Sequence, residues 1–78
     1  MALSIHNRRY EAMRLRMKEM RQSAGLTQAQ IAKKLRVVDQ SYISKIERGE
    51  RYVDALFFLD WCWACGVRAS DVVRELEK

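Results

Sequence analysis

The sequence predicts an all-α domain, a compact bundle of five helices, and three observations carry that expectation. Apolar residues recur at three- and four-residue spacing in five separate segments, the period of a helix with one buried face. Strand-like alternation is absent from the 78 residues. The chain has no proline, and each of its three glycines, Gly25, Gly49 and Gly66, follows an apolar periodic segment, where a helix is often closed by glycine.

A first helix is expected over about residues 7–24, with Tyr10, Met13, Met17, Met20 and Ala24 on one buried stripe. Arg8, Arg9, Arg14, Arg16 and Lys18 fall mostly off that stripe. Leu26 packs inward, and Thr27 is a candidate N-cap for a second helix over about residues 28–35. Ile31, Ala32 and Leu35 form its apolar side. Asp39 is a candidate cap for a third helix, ending near residue 48, with Ile43 and Ile46 inward. A fourth is expected over about residues 53–65, with Ala55, Phe58, Leu59, Cys62 and Cys65 on the core face and Phe57, Trp61 and Ala64 on a flank. A fifth, over about residues 69–77, buries Val72, Val73 and Leu76.

A chain of 78 residues holds one small domain, here residues 1–78, whose burial of about two-thirds of its unfolded surface leaves stability marginal without a partner. No run of 18 apolar residues exists to span a membrane, and the first residues lack the apolar core of a secretory signal. A cytoplasmic protein is expected. The net charge of +5 is unevenly spread. Residues 1–48 carry eleven Lys/Arg against four Asp/Glu, whereas residues 49–78 carry four against six. A basic half of this kind is what counterion release from a phosphate backbone requires, although a solvated basic face without a partner has the same composition.

Residues 26–51, LTQAQIAKKLRVVDQSYISKIERGER, place two short amphipathic helices in succession, joined by a turn. Ala32 supplies the small residue needed where two steeply crossing helices approach. With Ile43 and Ile46 turned inward, Gln40, Ser41, Ser44 and Lys45 project from the opposite face of the second of these helices. Gln pairs bidentately with adenine, Lys donates to guanine, and Ser suits several base edges. The layout is that of a helix-turn-helix spanning about residues 27–48, whose second helix lies in the major groove of double-stranded DNA.

AGLTQAQIAKKL followed by QSYISKIERGER resembles the helix-turn-helix family of the Cro and cI phage repressors, also called the xenobiotic-response-element type. The similarity covers about residues 9–77 and implies a compact five-helix, lambda-repressor-like DNA-binding domain. It also implies that Gln28 binds a phosphate at the N-terminus of the second helix, that Tyr42 reaches the backbone or a thymine methyl, and that Arg48, Gly49 and Arg51 grip the sugar-phosphate backbone. Arg21 and Glu47 are implied as a structural ion pair. The family commonly joins its two motif helices by Leu-Gly-Val-x-Gln; here the link is Leu35-Arg36-Val37-Val38-Asp39-Gln40, one residue longer and without the glycine. Either Arg36 takes an uncommon backbone conformation or the extra residue relaxes the turn.

The fourth helix is richer in apolar residues than one buried stripe needs. Trp61 and Trp63 diverge by about 200° on a helix, so at least one large aromatic is exposed or covered by a partner. Residues 53–77 are therefore the expected dimerisation surface, with Phe57, Trp61, Val73 and Leu76 as contact candidates. Two recognition helices would then meet successive major grooves about 34 Å apart.

Cys62 and Cys65 could suggest a metal or redox site, but His6 is the lone histidine and four zinc ligands cannot be assembled. Buried, reduced thiols in a cytosolic protein are expected instead. No metal, cofactor, membrane partner or small-molecule substrate is expected, and no catalytic constellation points to an enzyme. The expected function is sequence-specific DNA binding as a homodimeric transcriptional regulator, a repressor in the simplest case. The rival is an antitoxin-like or adaptor module that binds another polypeptide through the aromatic C-terminal surface.

Overall fold

The protein folds into five helices, α1 (Arg8–Ser23), α2 (Gln28–Lys34), α3 (Gln40–Glu47), α4 (Ala55–Ala64) and α5 (Ala69–Leu76), with no strand among the described residues. The computed structural model describes residues 7–37 and 39–77, so Val38 in the α2–α3 link and His6 lie outside the described residues.

Local chemistry starts each of the first four helices. Asn7 accepts hydrogen bonds from the backbone N–H groups of Arg9 and Tyr10, Asp39 from that of Ser41, and Asp54 from that of Phe57. Thr27 and Gln30 form a reciprocal capping box at α2. Such a cap contributes about 1 kcal/mol to its helix.

The ends of these helices share one construction. After α1, the N–H of Leu26 returns to the carbonyl of Arg21 at 3.1 Å; after α3 and α4, Glu50 returns to Lys45 at 2.8 Å and Val67 to Cys62 at 2.9 Å. The residue that turns the chain in each case is a glycine at positive φ. The end of α2 is built the same way, with Val37 N–H to Ala32 C=O at 3.1 Å and Arg36 N–H to Lys33 C=O at 3.2 Å. There the turning residue is Arg36, at φ 57°. The missing glycine therefore leaves the motif intact, and Arg36 bears a left-handed conformation that costs a Cβ-bearing residue roughly 1–2 kcal/mol.

Met17, Met20, Ile31, Ala32, Ile43, Phe58, Trp61, Cys62, Ala64 and Val72 form the core. Trp61 lies at its centre, 0% exposed, and its indole N–H donates to the Met17 carbonyl of α1 at 2.9 Å. This corrects the expected face of α4 and removes Trp61 from the dimer-contact candidates. Burying the large indole, with its one donor satisfied, outweighs burying Leu59, so the helix turns Trp61 inward. Ala55 and Leu59, expected in the core, are exposed. Ala24 lies exposed at the C-cap of α1, and Val73 on α5 is exposed beside buried Val72. The α4 face turned outward carries Leu56 (73% exposed), Leu59 (48%) and Trp63 (72%).

α5 closes the bundle against α1 and α4, with Val72 in the core and Arg16 paired to Glu75 at 2.7 Å. Arg36→Gly should raise stability by about 1 kcal/mol by relieving the left-handed strain, a melting-temperature increase of roughly 4–8 °C by circular dichroism. A lower melting temperature would contradict strain at Arg36.

Candidate nucleic-acid interface

At about 100° per residue, Gln40, Ser41, Ser44 and Lys45 occupy one side of α3 and Ile43 and Ile46 the other, with Glu47 at the boundary, two turns on from Gln40. The isoleucines are fully buried, whereas Gln40, Ser41 and Lys45 are exposed and Ser44 is half-buried. The structure thus brings the four candidate base-reading residues together on one solvent-facing strip.

What holds α3 in this orientation is a buried carboxylate. Glu47 Oε2 accepts from Arg21 Nε at 2.6 Å, and Oε1 accepts from Arg21 Nη2 and from Gln28 Nε2, both at 3.0 Å. Arg21 Nη1 also donates to the Leu26 carbonyl at 2.8 Å in the α1–α2 turn. Helices α1, α2 and α3 are therefore held at one point. Gln28, the phosphate-contact candidate, sits half-buried at the N-terminus of α2 with its amide nitrogen given to Glu47. With the Gln30 N–H bonded to the Thr27 hydroxyl, the backbone N–H groups of Gln28 and Ala29 are the first-turn donors of α2 that face an anion there.

A second arginine acts beside the first. Arg14 Nη1 donates to the Glu47 carbonyl at 2.7 Å, supplying a positive group at the C-terminus of α3. Its guanidinium lies over Gly49, where a Cβ would meet Arg14 Nε at 3.0 Å. Gly49 is buried and its N–H is bonded to Ile46 C=O, so this residue shapes the turn and has no N–H to offer a phosphate. That corrects its expected part in gripping DNA. The sequence signal for Arg14 was its seven-residue spacing from Arg21, which aligns the two side chains two turns apart along α1.

The loop after α3 carries the remaining cations. The Arg51 guanidinium stacks 4.5 Å from the centre of the Tyr42 ring, and its carbonyl accepts from Tyr10 Oη at 2.8 Å. Tyr42 in turn leans on Phe57, with ring centres 5.8 Å apart. Tyr42 therefore positions Arg51 as well as flanking the strip. Arg48 pairs with Glu50 at 2.8 Å, both side chains more than half exposed. An exposed pair of this kind is worth about 1 kcal/mol or less, so a phosphate can displace Glu50.

At the other end of α3, Asp39 Oδ1 accepts from both Ser41 N–H (2.9 Å) and Ser41 Oγ (2.6 Å). These bonds hold the Asp39 carboxyl below the usual carboxylate range. The sequence marked Asp39 as a cap without placing it beside the polar strip.

Cys62 is buried and Cys65 half-buried, and both are free. Burial raises the pKa of both thiols, that of Cys65 to about 11, and leaves them protonated and unreactive near neutral pH. No group of three or more metal-ligating side chains is found among the described residues, and no helix among them is long and apolar enough to cross a membrane.

The helix-turn-helix family model matches residues 17–71. Among solved structures, an XRE-family like protein from Pseudomonas syringae pv. tomato str. DC3000 is similar, with 38% sequence identity and a TM-score of 0.86 over 94% of this chain and 88% of that one. No curated protein matches.

Removing one partner of a buried, hydrogen-bonded ion pair leaves the other charge uncompensated and costs about 3–5 kcal/mol. Glu47→Gln should destabilise the domain by about that amount in urea unfolding, whereas breaking the exposed Arg48–Glu50 pair should cost no more than about 1 kcal/mol. Equal losses from the two would contradict the structural role of Glu47.

Proposed function

We propose that this chain, which belongs to the Cro/cI (XRE-type) helix-turn-helix family of DNA-binding transcription regulators, reads the major groove with α3 as a cytoplasmic homodimer and represses by occupying promoter DNA. One observation carries the reading: Gln40, Ser41 and Lys45 are exposed and Ser44 is half-buried between them, while the isoleucines and Glu47 are buried. The strip is rigidly presented, and its side chains are those that pair with base edges. Around it, Gln28 with the N-terminus of α2, Tyr42, Arg48 and Arg51 form the backbone contacts, with Gly49 shaping the turn between them. The whole chain acts as a single DNA-binding domain.

The homodimer is supported by the apolar surface left open on α4 and α5. Leu56, Leu59 and Trp63 recur at helical spacing along the outer side of α4. Val73 and Leu76 line an open apolar groove of about 280 Å³ with Met13, Val53 and Phe58. Phe57 is half-buried between Tyr42 and Trp61 and contributes at the margin. Exposed apolar patches of this kind mark interfaces, and Trp63 takes the anchoring place that Trp61 cannot. The adaptor reading draws on the same surface; it predicts a chain that stays monomeric until a different polypeptide is added.

Gln40→Ala should cost about 1–3 kcal/mol on the preferred site and relax base choice at one position, whereas Arg51→Ala should weaken all duplexes alike and lower the salt slope by about 1. Fluorescence anisotropy on preferred and scrambled duplexes distinguishes the two, and uniform losses from both would overturn the assignment of the strip. Light scattering should give twice the chain mass, and Trp63→Glu should reduce it to one chain. A native chain that remains monomeric both free and on DNA would overturn the dimer.

A further inference from the structure

Asp39 is an unusual residue to find beside a surface that faces phosphates. It is exposed, it opens the helix proposed to enter the groove, and a bare carboxylate there is repelled by the DNA backbone. Its cap function does not require the charge, because Asn and Ser cap equally well. The N-terminus of α3 and the two bonds from Ser41 already favour the charged form, and the geometry of this first turn gives the charge a further use.

Two hydrogen bonds from Ser41 fall on Oδ1 of the carboxylate, from the N–H at 2.9 Å and from Oγ at 2.6 Å. Oδ2 takes neither of these two bonds. The Ser41 hydroxyl has a single proton, and that proton is committed to Asp39, so toward a base Ser41 can only accept. A serine that ordinarily suits several base edges is thereby made one-sided. Asp39 and Ser41 together form a pair of acceptors at the leading end of α3.

Acceptors of this kind are selective in the major groove. Guanine presents N7 and O6 and thymine presents O4, all acceptors that repel a carboxylate. Adenine offers its N6 amino group but sets the N7 acceptor beside it. Cytosine presents the N4 amino group with no acceptor on the same edge. Resting on the reading of α3 as the recognition helix, we propose that Asp39 is a specificity-determining residue that selects cytosine at one position of each half-site, accepting the N4 hydrogen left free by base pairing, with Ser41 beside it unable to donate to an acceptor edge. The carboxylate excludes the other three bases more strongly than it attracts cytosine, and it lowers affinity for unrelated DNA by repelling phosphates.

Selection of bound duplexes from a randomised 30-base-pair pool, with the native chain and with Asp39→Asn in parallel, tests this. Asparagine keeps the cap, so the variant should stay folded and lose only the modest contribution of the charge at the helix N-terminus, but its amide can donate as well as accept. The native chain should enrich a motif in which replacing one cytosine per half-site costs about 5- to 100-fold in affinity. In Asp39→Asn that position alone should become degenerate, the rest of the motif should persist, and binding to unrelated duplexes should tighten. Identical base preferences from the two chains would overturn the role of Asp39 while leaving the reading of α3 standing. A native chain that enriches no motif at all would overturn that reading, and this inference with it.

Discussion

The carboxylate of Glu47 is the point at which three helices are tied together. It receives two bonds from Arg21 and one from Gln28, and Arg21 spends another donor on the turn between α1 and α2. Taking two charges out of water is costly, and such a pair adds little net stability compared with an apolar contact of the same shape. What it supplies is direction. An isoleucine face such as that of Ile43 and Ile46 tolerates rotation or sliding by a fraction of a turn, whereas a bidentate guanidinium–carboxylate pair has one geometry. The orientation of the polar strip on α3 depends on this pair, because the pair fixes α3 about its own axis against α1 and α2.

Around that point the molecule uses its aromatic and basic residues in couples. Tyr42 steadies Arg51 through its ring, and Tyr10 steadies the same residue through its carbonyl. Lys34 donates to the Ala64 carbonyl at the end of α4 and lies 6.0 Å from the ring centre of Trp63. Part of the positive charge counted in the basic half is thus employed in holding the fold. Arg14 and Arg21 face inward, and the cations left exposed lie on α1 (Arg8, Arg9 and Lys18), on α2, on α3 and in the loops beside them. Charge asymmetry in a sequence indicates a surface only after these internal uses are subtracted.

Much of the fold was legible because the deciding interactions are short-ranged. The caps at Thr27 and Asp39 and the turns at Gly25, Gly49 and Gly66 involve partners within a few residues, and the helix bounds follow to within about two positions, although Asn7 and Asp54 emerge as caps only in the structure. The polar strip of α3 was legible for the same reason, since two isoleucines three apart define one side of a two-turn helix. Helix α4 was harder to read. With apolar residues around most of its circumference, its periodicity allows several faces, and the choice between Leu59 and Trp61 is not made within the helix. The part played by Gly49 was misread because its N–H and its close neighbour Arg14 are engaged by groups that the motif alone does not reveal.

The sequence by itself determined five helices, the caps at Thr27 and Asp39, the two-helix motif and the residues on the open face of α3, all consequences of residue type and spacing along a few turns. Tertiary structure decided which tryptophan is buried, how Arg14 closes the end of α3, and that Arg36 bears the left-handed turn that glycine bears elsewhere. The physical reason is range. Trp61 finds its acceptor on a residue 44 positions away and Arg14 finds its own 33 positions away. Such contacts are chosen by the fit of whole helices against one another, a choice that no local period encodes.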